Sequence, residues 1–307
     1  MKAVVTSDYG QQITVADIPA PRPGPGQMLV RIRAAALNPV DLAVVRGGIA
    51  ELTFPHVLGN DFAGTVAEVG SGVTGYRAGD EVFGHAMPRA LRAIAGQGRP
   101  SLGTGTLAEF AVVEADTPFI AHRPASLSPV DAAALGTAGI TARALALTAG
   151  IQEGERVLVV GATGGVGTTL LPLLRGAHVI ATGRPGDTEL LRGLGADEVI
   201  EYGQYPAGVD TVLNLVLPSD RLGDVAQALR PGGRLFTITF PVPRPEYIGR
   251  DDVEFRLVLD VEGELGGAAE VTGLRATVGR TYSLDEGPLA YRGLVDEHVV
   301  GKLVVVV

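Results

Sequence analysis

The stretch from Val157 to Gly167, VLVVGATGGVG, constrains this chain more than any other. Four apolar residues of strand type run into Gly161, Gly164 and Gly167, spaced three apart, with Gly165 beside them. A strand that turns through glycines into a helix surrounds one point with backbone N–H groups and a positive helix end, and no Cβ obstructs the approach. A dinucleotide pyrophosphate suits that geometry. The text around the turn supplies the framework it needs. RVLVVG, GTTLLPLLRG, HVIATG, TELLRGLG, DEVIEY, VDTVLNLV, RLGDVAQALR and GRLFTIT alternate strand-like with helix-like patterns, which predicts βαβ units and a doubly wound parallel sheet.

The text before residue 122 differs. QMLVRIRAAALN, FAGTVAEVG, DEVFGH and LAEFAVVE are short strand patterns cut by glycine and proline, which predict a β-barrel or sandwich. Between the two regions, LSPVDAAALGTAGITARALALTAG predicts a helix with Ser128 as N-cap and Gly150 as stop. The β-branched ending GKLVVVV predicts a strand that closes back on the first region. The expected domains are residues 1–122 completed by 280–307, and residues 123–279. A length of 307 residues, 46% hydrophobic, suffices for both.

A net charge of −9 works against a nucleic-acid partner, because the protein's field repels polyanions. The absence of cysteine excludes disulfides, thiolate metal sites and a cysteine nucleophile. No uninterrupted apolar run approaches the roughly 20 residues of a membrane span, and MKAVVTSDYG has no signal-like apolar stretch, so the expectation is a cytoplasmic protein with no membrane partner.

Cofactor choice is written at the end of the next strand. About 20 residues past the glycine loop, NAD sites carry an acidic residue for the ribose hydroxyl. Here the strand ends in Gly183 and Arg184, and no acid occurs before Asp187. A glycine leaves room for a 2′-phosphate and a guanidinium can pair with it, which points to NADPH.

Seven segments, in order, carry a resemblance to a known family: PRPGPGQMLVRIRAAALNPVDLAVVRG, FPHVLGNDFAGTVAEVG, GTLAEFAVV, LSPVDAAALGTAGITA, RVLVVGATGGVG, LRPGGRLFTI and GKLVVVV. The chain resembles the medium-chain dehydrogenase/reductase superfamily, and within it the zinc-independent NADPH:quinone oxidoreductase (zeta-crystallin-like) branch. The resemblance implies an α/β protein with a GroES-like β-barrel catalytic domain and a Rossmann domain. It implies Asn38 as the active-site asparagine, touching acceptor or nicotinamide, and Thr141 near the nicotinamide face. Gly164, Gly165 and Val166 would hold the pyrophosphate, with Gly183, Arg184, Tyr202 and Thr239 completing the cofactor site. Where zinc-dependent relatives place a cysteine and a histidine, this chain has Leu37-Asn38 and Asn60-Asp61, and its five histidines are scattered, so no metal is expected. The tyrosine that the branch often has after the asparagine is here Ala43.

Chemistry without metal requires an acceptor that is already electrophilic, a quinone or an α,β-unsaturated carbonyl. Two alternatives stay open: reduction of enoyl-thioester or other carbonyl substrates, and a non-catalytic NADPH-binding protein of crystallin type. VEFRLVLD predicts an edge strand for a homodimer. The segment 86–105, with Arg89, Arg92 and Arg99, is expected to form a lid or rim over the acceptor site. Pro172 is expected to interrupt the helix after the glycine loop.

Overall fold

The computed structural model describes residues 1–10, 12–47, 52–86 and 105–307. Most of the expected lid, including Arg89, Arg92 and Arg99, lies outside the described residues. The chain divides into two compact units, Met1–Ile140 with Val261–Val307, and Thr141–Asp260.

The first unit begins with β1 (Lys2–Thr6), β2 (Thr14–Asp17) and β3 (Gln27–Ala36), followed by α1 (Pro39–Val45) and β4 (His56–Val57). Then come β5 (Asp61–Val69), β6 (Glu81–His85), β7 (Phe110–Glu114), β8 (Ile120–His122) and the start of α2 (Pro129–Ala149). Strands β1, β2 and β4 form a small sheet. The pattern of β3 shows how the larger sheet forms: Met28, Val30 and Ile32 alternate inward while Arg31 and Arg33 face out. On β3 pair β5, β7 and, from the far end of the chain, a strand whose residue Val304 lies opposite Ala36. The terminal run GKLVVVV thus closes the first unit, as its sequence predicts.

The second unit contains β9 (Arg156–Val160), α3 (Gly165–Leu170), β10 (His178–Thr182), α4 (Thr188–Gly193), β11 (Glu198–Ile200) and β12 (Val209–Asn214). It continues with α5 (Leu222–Ala226), β13 (Leu229–Thr237), α6 (Pro245–Ile248) and β14 (Glu254–Leu257). Its six strands are parallel in the order β11-β10-β9-β12-β13-β14. The order reverses between β9 and β12, the place where open α/β sheets bind ligands beyond the carboxyl ends of their strands. Val157 to Val160 are fully buried, as a central strand covered on both faces must be. Pro172 acts as expected: α3 stops at Leu170 and a tighter 3₁₀ turn, Leu171–Leu173, replaces its continuation. The chain then returns to the first unit through β15 (Val278–Ser283), α7 (Gly287–Asp296) and β16 (Lys302–Val306).

The units part inside α2 and at Asp260, whereas the sequence pattern predicts junctions near residues 122 and 279. Packing accounts for the difference. Ala132, Ala133, Ala134, Leu135 and Ile140 of α2, with Ala268 and Val271, share one core with Ala34, Phe83, Phe119 and Val304. Helix α2 is also long and apolar enough, by length and composition, to cross a membrane, but it is two-thirds buried within the protein.

Candidate functional site

In the second unit, the glycine loop leaves β9 with Gly161 in the left-handed region at φ 95°, a conformation that L side chains rarely adopt. Its N–H donates to Thr182 Oγ1 at 2.9 Å, tying the loop to the end of β10. A Cβ on Gly167 would lie 2.5 Å from the carbonyl oxygens of both Gly161 and Ala162, so the first turn of α3 packs on the loop as only glycine allows. Gly164 is exposed and Gly165 and Val166 half-buried, so these three present their backbone at the surface of the loop. At the end of β10, Gly183 is buried and a Cβ there would meet Leu191 Cδ1 at 2.6 Å. The side chain of Arg184 is exposed, and its backbone N–H donates to Asp187 Oδ2 at 2.7 Å. The first acid after the strand is therefore turned back on its own chain. Tyr202 stands half-exposed beyond β11.

Thr239 has a structural partner set. Its hydroxyl donates to the Leu217 carbonyl at 2.7 Å and accepts from Asn214 Nδ2 at 3.1 Å, joining the loops that follow β12 and β13. Thr141, half-buried, is the first residue of the second unit. The glycine cradle and the exposed guanidinium are of the residue types that suit a dinucleotide phosphate, whereas Gly183 itself is packed against Leu191.

Asn38 belongs to the first unit and sits in a buried polar cluster. It follows β3, and Pro39 starts α1 directly after it, a position where a missing N–H costs nothing. The third helical residue, Asp41, accepts the Asn38 backbone N–H at 2.8 Å. Leu37 N–H bonds the Leu303 carbonyl at 3.0 Å, which brings the neighbouring Lys302 of β16 beside Asn38. Lys302 Nζ donates to the Leu37 carbonyl and to Asn38 Oδ1, each at 2.6 Å, and lies 3.6 Å from Asp61 Oδ2. Asn38 Nδ2 donates to Asp61 Oδ2 at 2.9 Å, and Asn60 Nδ2 to Asp41 Oδ1. The other oxygen of Asp61 accepts from the Thr137 backbone N–H at 3.0 Å, the Thr137 hydroxyl at 2.6 Å and His85 Nδ1 at 3.0 Å. Helix α2 comes this close because residue 136 is glycine: a Cβ there would lie 2.7 Å from Asp61 Cγ.

The charges follow from these contacts. Burial pushes Asp61 up, but the hydrogen bond from His85, the Lys302 charge and Thr137 outweigh it, and the carboxyl stays below its ordinary range. Asp41 has fewer donors. Burial, with the Asp61 charge adding, lifts it to about 6. Burial lowers Lys302 against the pull of Asp61 and Asp41. Burial first, and then Asp41, hold the Tyr291 phenol protonated well above its usual value.

His85 thus does not stand alone, as it does in the sequence. Sequence reasoning also passed over Asp41, Asp61, Thr137 and Lys302 as parts of one cluster. The segments NPVD, GNDFAG, GTAG and GKLV held the signal, but these lie on four separate stretches that only pairing with β3 and β5 brings together.

Comparison with known proteins fits this architecture. Residues 24–124 match the alcohol dehydrogenase GroES-like domain, and residues 194–305 a zinc-binding dehydrogenase domain. The chain is 34% identical over 279 residues to the 2-methylene-furan-3-one reductase of Solanum lycopersicum, covering 86% of this chain and 67% of that one. This chain belongs to the medium-chain dehydrogenase/reductase superfamily of oxidoreductases. It is also 31% identical over 261 residues to the chloroplastic NADPH-dependent alkenal/one oxidoreductase of Arabidopsis thaliana, 80% of this chain and 64% of that one. The chain therefore spans about two-thirds of the length of these relatives. The quinone oxidoreductase of Coxiella burnetii superposes with a TM-score of 0.80 at 27% identity, over 100% of this chain and 99% of that one.

The zinc named for the second matched domain does not fit the donors present. The chain has no cysteine, and no group of three His, Asp or Glu residues among the described residues is placed to hold a metal ion. At 38 and 60 stand amides that donate to carboxylates, and a lysine ammonium already lies among the oxygens of Leu37, Asn38 and Asp61.

Proposed function

We propose that this superfamily member is an NADPH-dependent reductase of quinones or α,β-unsaturated carbonyls that works without a metal. The observation that carries the cofactor choice is the end of β10, where Gly183 and Arg184 stand and the nearest acid, Asp187, is engaged by the Arg184 backbone. A ribose diol would lack its carboxylate partner there, whereas a 2′-phosphate would meet a guanidinium. Bound at the glycine loop, the cofactor supplies a hydride. The acceptor class is supported by the names of the relatives, which specify an exocyclic enone, alkenals and enones, and a quinone.

The reduction takes one hydride and one proton from water, and gives a hydroquinone or a saturated carbonyl. Negative charge gathers on the acceptor oxygen as the hydride arrives, and a fixed hydrogen-bond donor stabilises it. Asn38 supplies that donor in this reading. The edge strand β14 leaves one side of the parallel sheet unpaired by any described strand, which supports a homodimer through sheet extension.

The test is cofactor oxidation measured with NADPH and NADH against a panel of quinones, enones, enoyl thioesters and simple ketones. Turnover with quinones or enones, a preference for NADPH, and indifference to strong chelators are expected. Losing the charge-assisted pair in Arg184→Ala removes about 1.5–3 kcal/mol, roughly ten- to hundredfold in NADPH affinity, with NADH nearly unchanged. Equal affinity of the parent for both cofactors refutes the cofactor assignment, and activity lost on chelation and restored by zinc refutes the metal-free one.

A further inference from the structure

An asparagine side chain has one carbonyl oxygen and two amide hydrogens, and its two ends are distinguished only by what they bond. Asn38 is held at both ends by opposite charges. Its Oδ1 accepts from the Lys302 ammonium at 2.6 Å, and its Nδ2 donates to the Asp61 carboxylate at 2.9 Å. A flipped amide would aim a carbonyl at a carboxylate and an NH₂ group at an ammonium, both repulsive and both in a buried setting where charges are weakly screened. The amide therefore has one orientation. One of its two Nδ2–H bonds is spent on Asp61, and the other has no partner among the described residues. The ammonium on Oδ1 also draws electron density from the amide nitrogen, which strengthens the remaining N–H as a donor.

We infer that Lys302 and Asp61 are positioning residues that lock the Asn38 amide so that its second Nδ2–H serves as hydrogen-bond donor to the acceptor's carbonyl oxygen. The inference deepens the reading above and rests on Asn38 meeting the acceptor. It explains why a buried lysine is placed at the start of β16: its three donors go to Leu37 O, Asn38 Oδ1 and the Asp61 side, and the strand neighbour in register is the uncharged Val278. The titratable groups that face it are Asp61 of β5 and Asp41 of α1. Behind these stand His85 of β6, against Asp61, and Tyr291 of α7, beside Asp41.

The experiment compares kcat and KM for a quinone and an enone, and Kd for NADPH, in the parent, Asn38→Ala, Lys302→Met, Lys302→Arg and the Asn38→Ala/Lys302→Met pair. Removing one such donor costs roughly a hundredfold in kcat, so Asn38→Ala is expected to lose that much and Lys302→Met a similar factor. NADPH affinity is expected to stay within about twofold. The double variant should be no slower than the slower single, because both remove one function. The parent's kcat should fall at alkaline pH as Lys302 loses its proton, below the ordinary lysine range. Lys302→Arg, which keeps a cation that does not titrate, should retain neutral-pH turnover and lose that alkaline limb. A Lys302→Met enzyme within about twofold of the parent while Asn38→Ala is slow overturns the lock and leaves the role of Asn38 standing. If Lys302→Met does not fold, an alkaline limb unchanged in Lys302→Arg overturns the lock instead. Full turnover in Asn38→Ala overturns the role of Asn38 and the lock with it.

Discussion

Replacing Asp61 by asparagine keeps the shape of the side chain and removes its charge, so it isolates what the carboxylate does for the fold. One oxygen accepts from Thr137 N, Thr137 Oγ1 and His85 Nδ1, and the other faces Asn38 Nδ2 and Lys302 Nζ. Each oxygen faces an obligate donor, Thr137 N–H on one side and Asn38 Nδ2 with Lys302 Nζ on the other, so whichever way an amide turns, its NH₂ meets an N–H group. The larger loss is electrostatic. Lys302 would be left in the interior without its nearest counter-charge, and breaking a buried pair in this way costs about 3–5 kcal/mol. An independent ceiling follows from letting the lysine escape by losing its proton. Taking a group of ordinary pKa 10.5 to its neutral form at pH 7 costs about 5 kcal/mol. The two estimates agree. Equilibrium urea unfolding measures the change. With a slope of about 2 kcal/mol per molar, the midpoint of Asp61→Asn falls by roughly 2 M. Hydrogen exchange in β5 and β16 assigns the loss to the first unit. Adding Lys302→Met to Asp61→Asn is expected to recover part of the stability, because the unpaired ammonium is then gone. An Asp61→Asn protein within about 1 kcal/mol of the parent, or a double variant no more stable than the single, refutes the reasoning.

Acid stability should show two opposed contributions. Burial raises Asp41 from 3.8 to about 6, so its stabilisation is complete below 3.8 and is lost as pH rises through about 6. Burial lowers His56 from 6.5 to about 4, so its contribution is complete above 6.5 and is lost as pH falls through about 4. Each amounts to about 3 kcal/mol. The two cancel in the parent, whereas Asp41→Asn is expected to lose about 3 kcal/mol between those limits on acidification and His56→Gln to gain a similar amount; urea melts across the window that overlay for all three proteins dismiss this account. Gly167→Ala puts a Cβ 2.5 Å from two backbone carbonyl oxygens, which overpacking values place at about 1–3 kcal/mol of lost stability. Displacement of the loop should weaken NADPH at least about tenfold by fluorescence titration, and unchanged affinity would show that the first turn of α3 does not shape the phosphate cradle.

Much of the fold is local and therefore legible. The strand-to-helix glycine turn, the alternation of β9 to β14 with helices, the stop at Pro172 and the β-branched terminus each depend on residues within a few positions of one another. Periodicity and backbone sterics act at that range. The residues proposed for the cofactor are placed by local chemistry too: Gly161 to Gly167 and Gly183-Arg184 sit at the ends of adjacent strands, and the turn chemistry that positions them is written beside them. Thr239 shows the limit. Its hydroxyl is engaged by Leu217 and Asn214 from another loop, contacts that no local pattern announces.

From the sequence alone come the parallel sheet and its glycine loop, the exclusion of thiolate chemistry and the missing acid after β10; Asn38 as candidate donor comes from the family resemblance. The tertiary structure alone decides what surrounds Asn38. Lys302 is 264 residues away in the chain, Asp61 23 residues, and Thr137 lies 76 residues from Asp61. Their meeting depends on β16 pairing with β3, β3 with β5, and a glycine at 136 letting α2 approach. Buried charges must find partners or lose their charge, so a lone lysine in a valine-rich strand and an isolated aspartate after Asn60 acquire meaning only when the fold closes. The orientation of one amide then follows from which charge lies at each end, a property of packing that residue type and spacing do not contain.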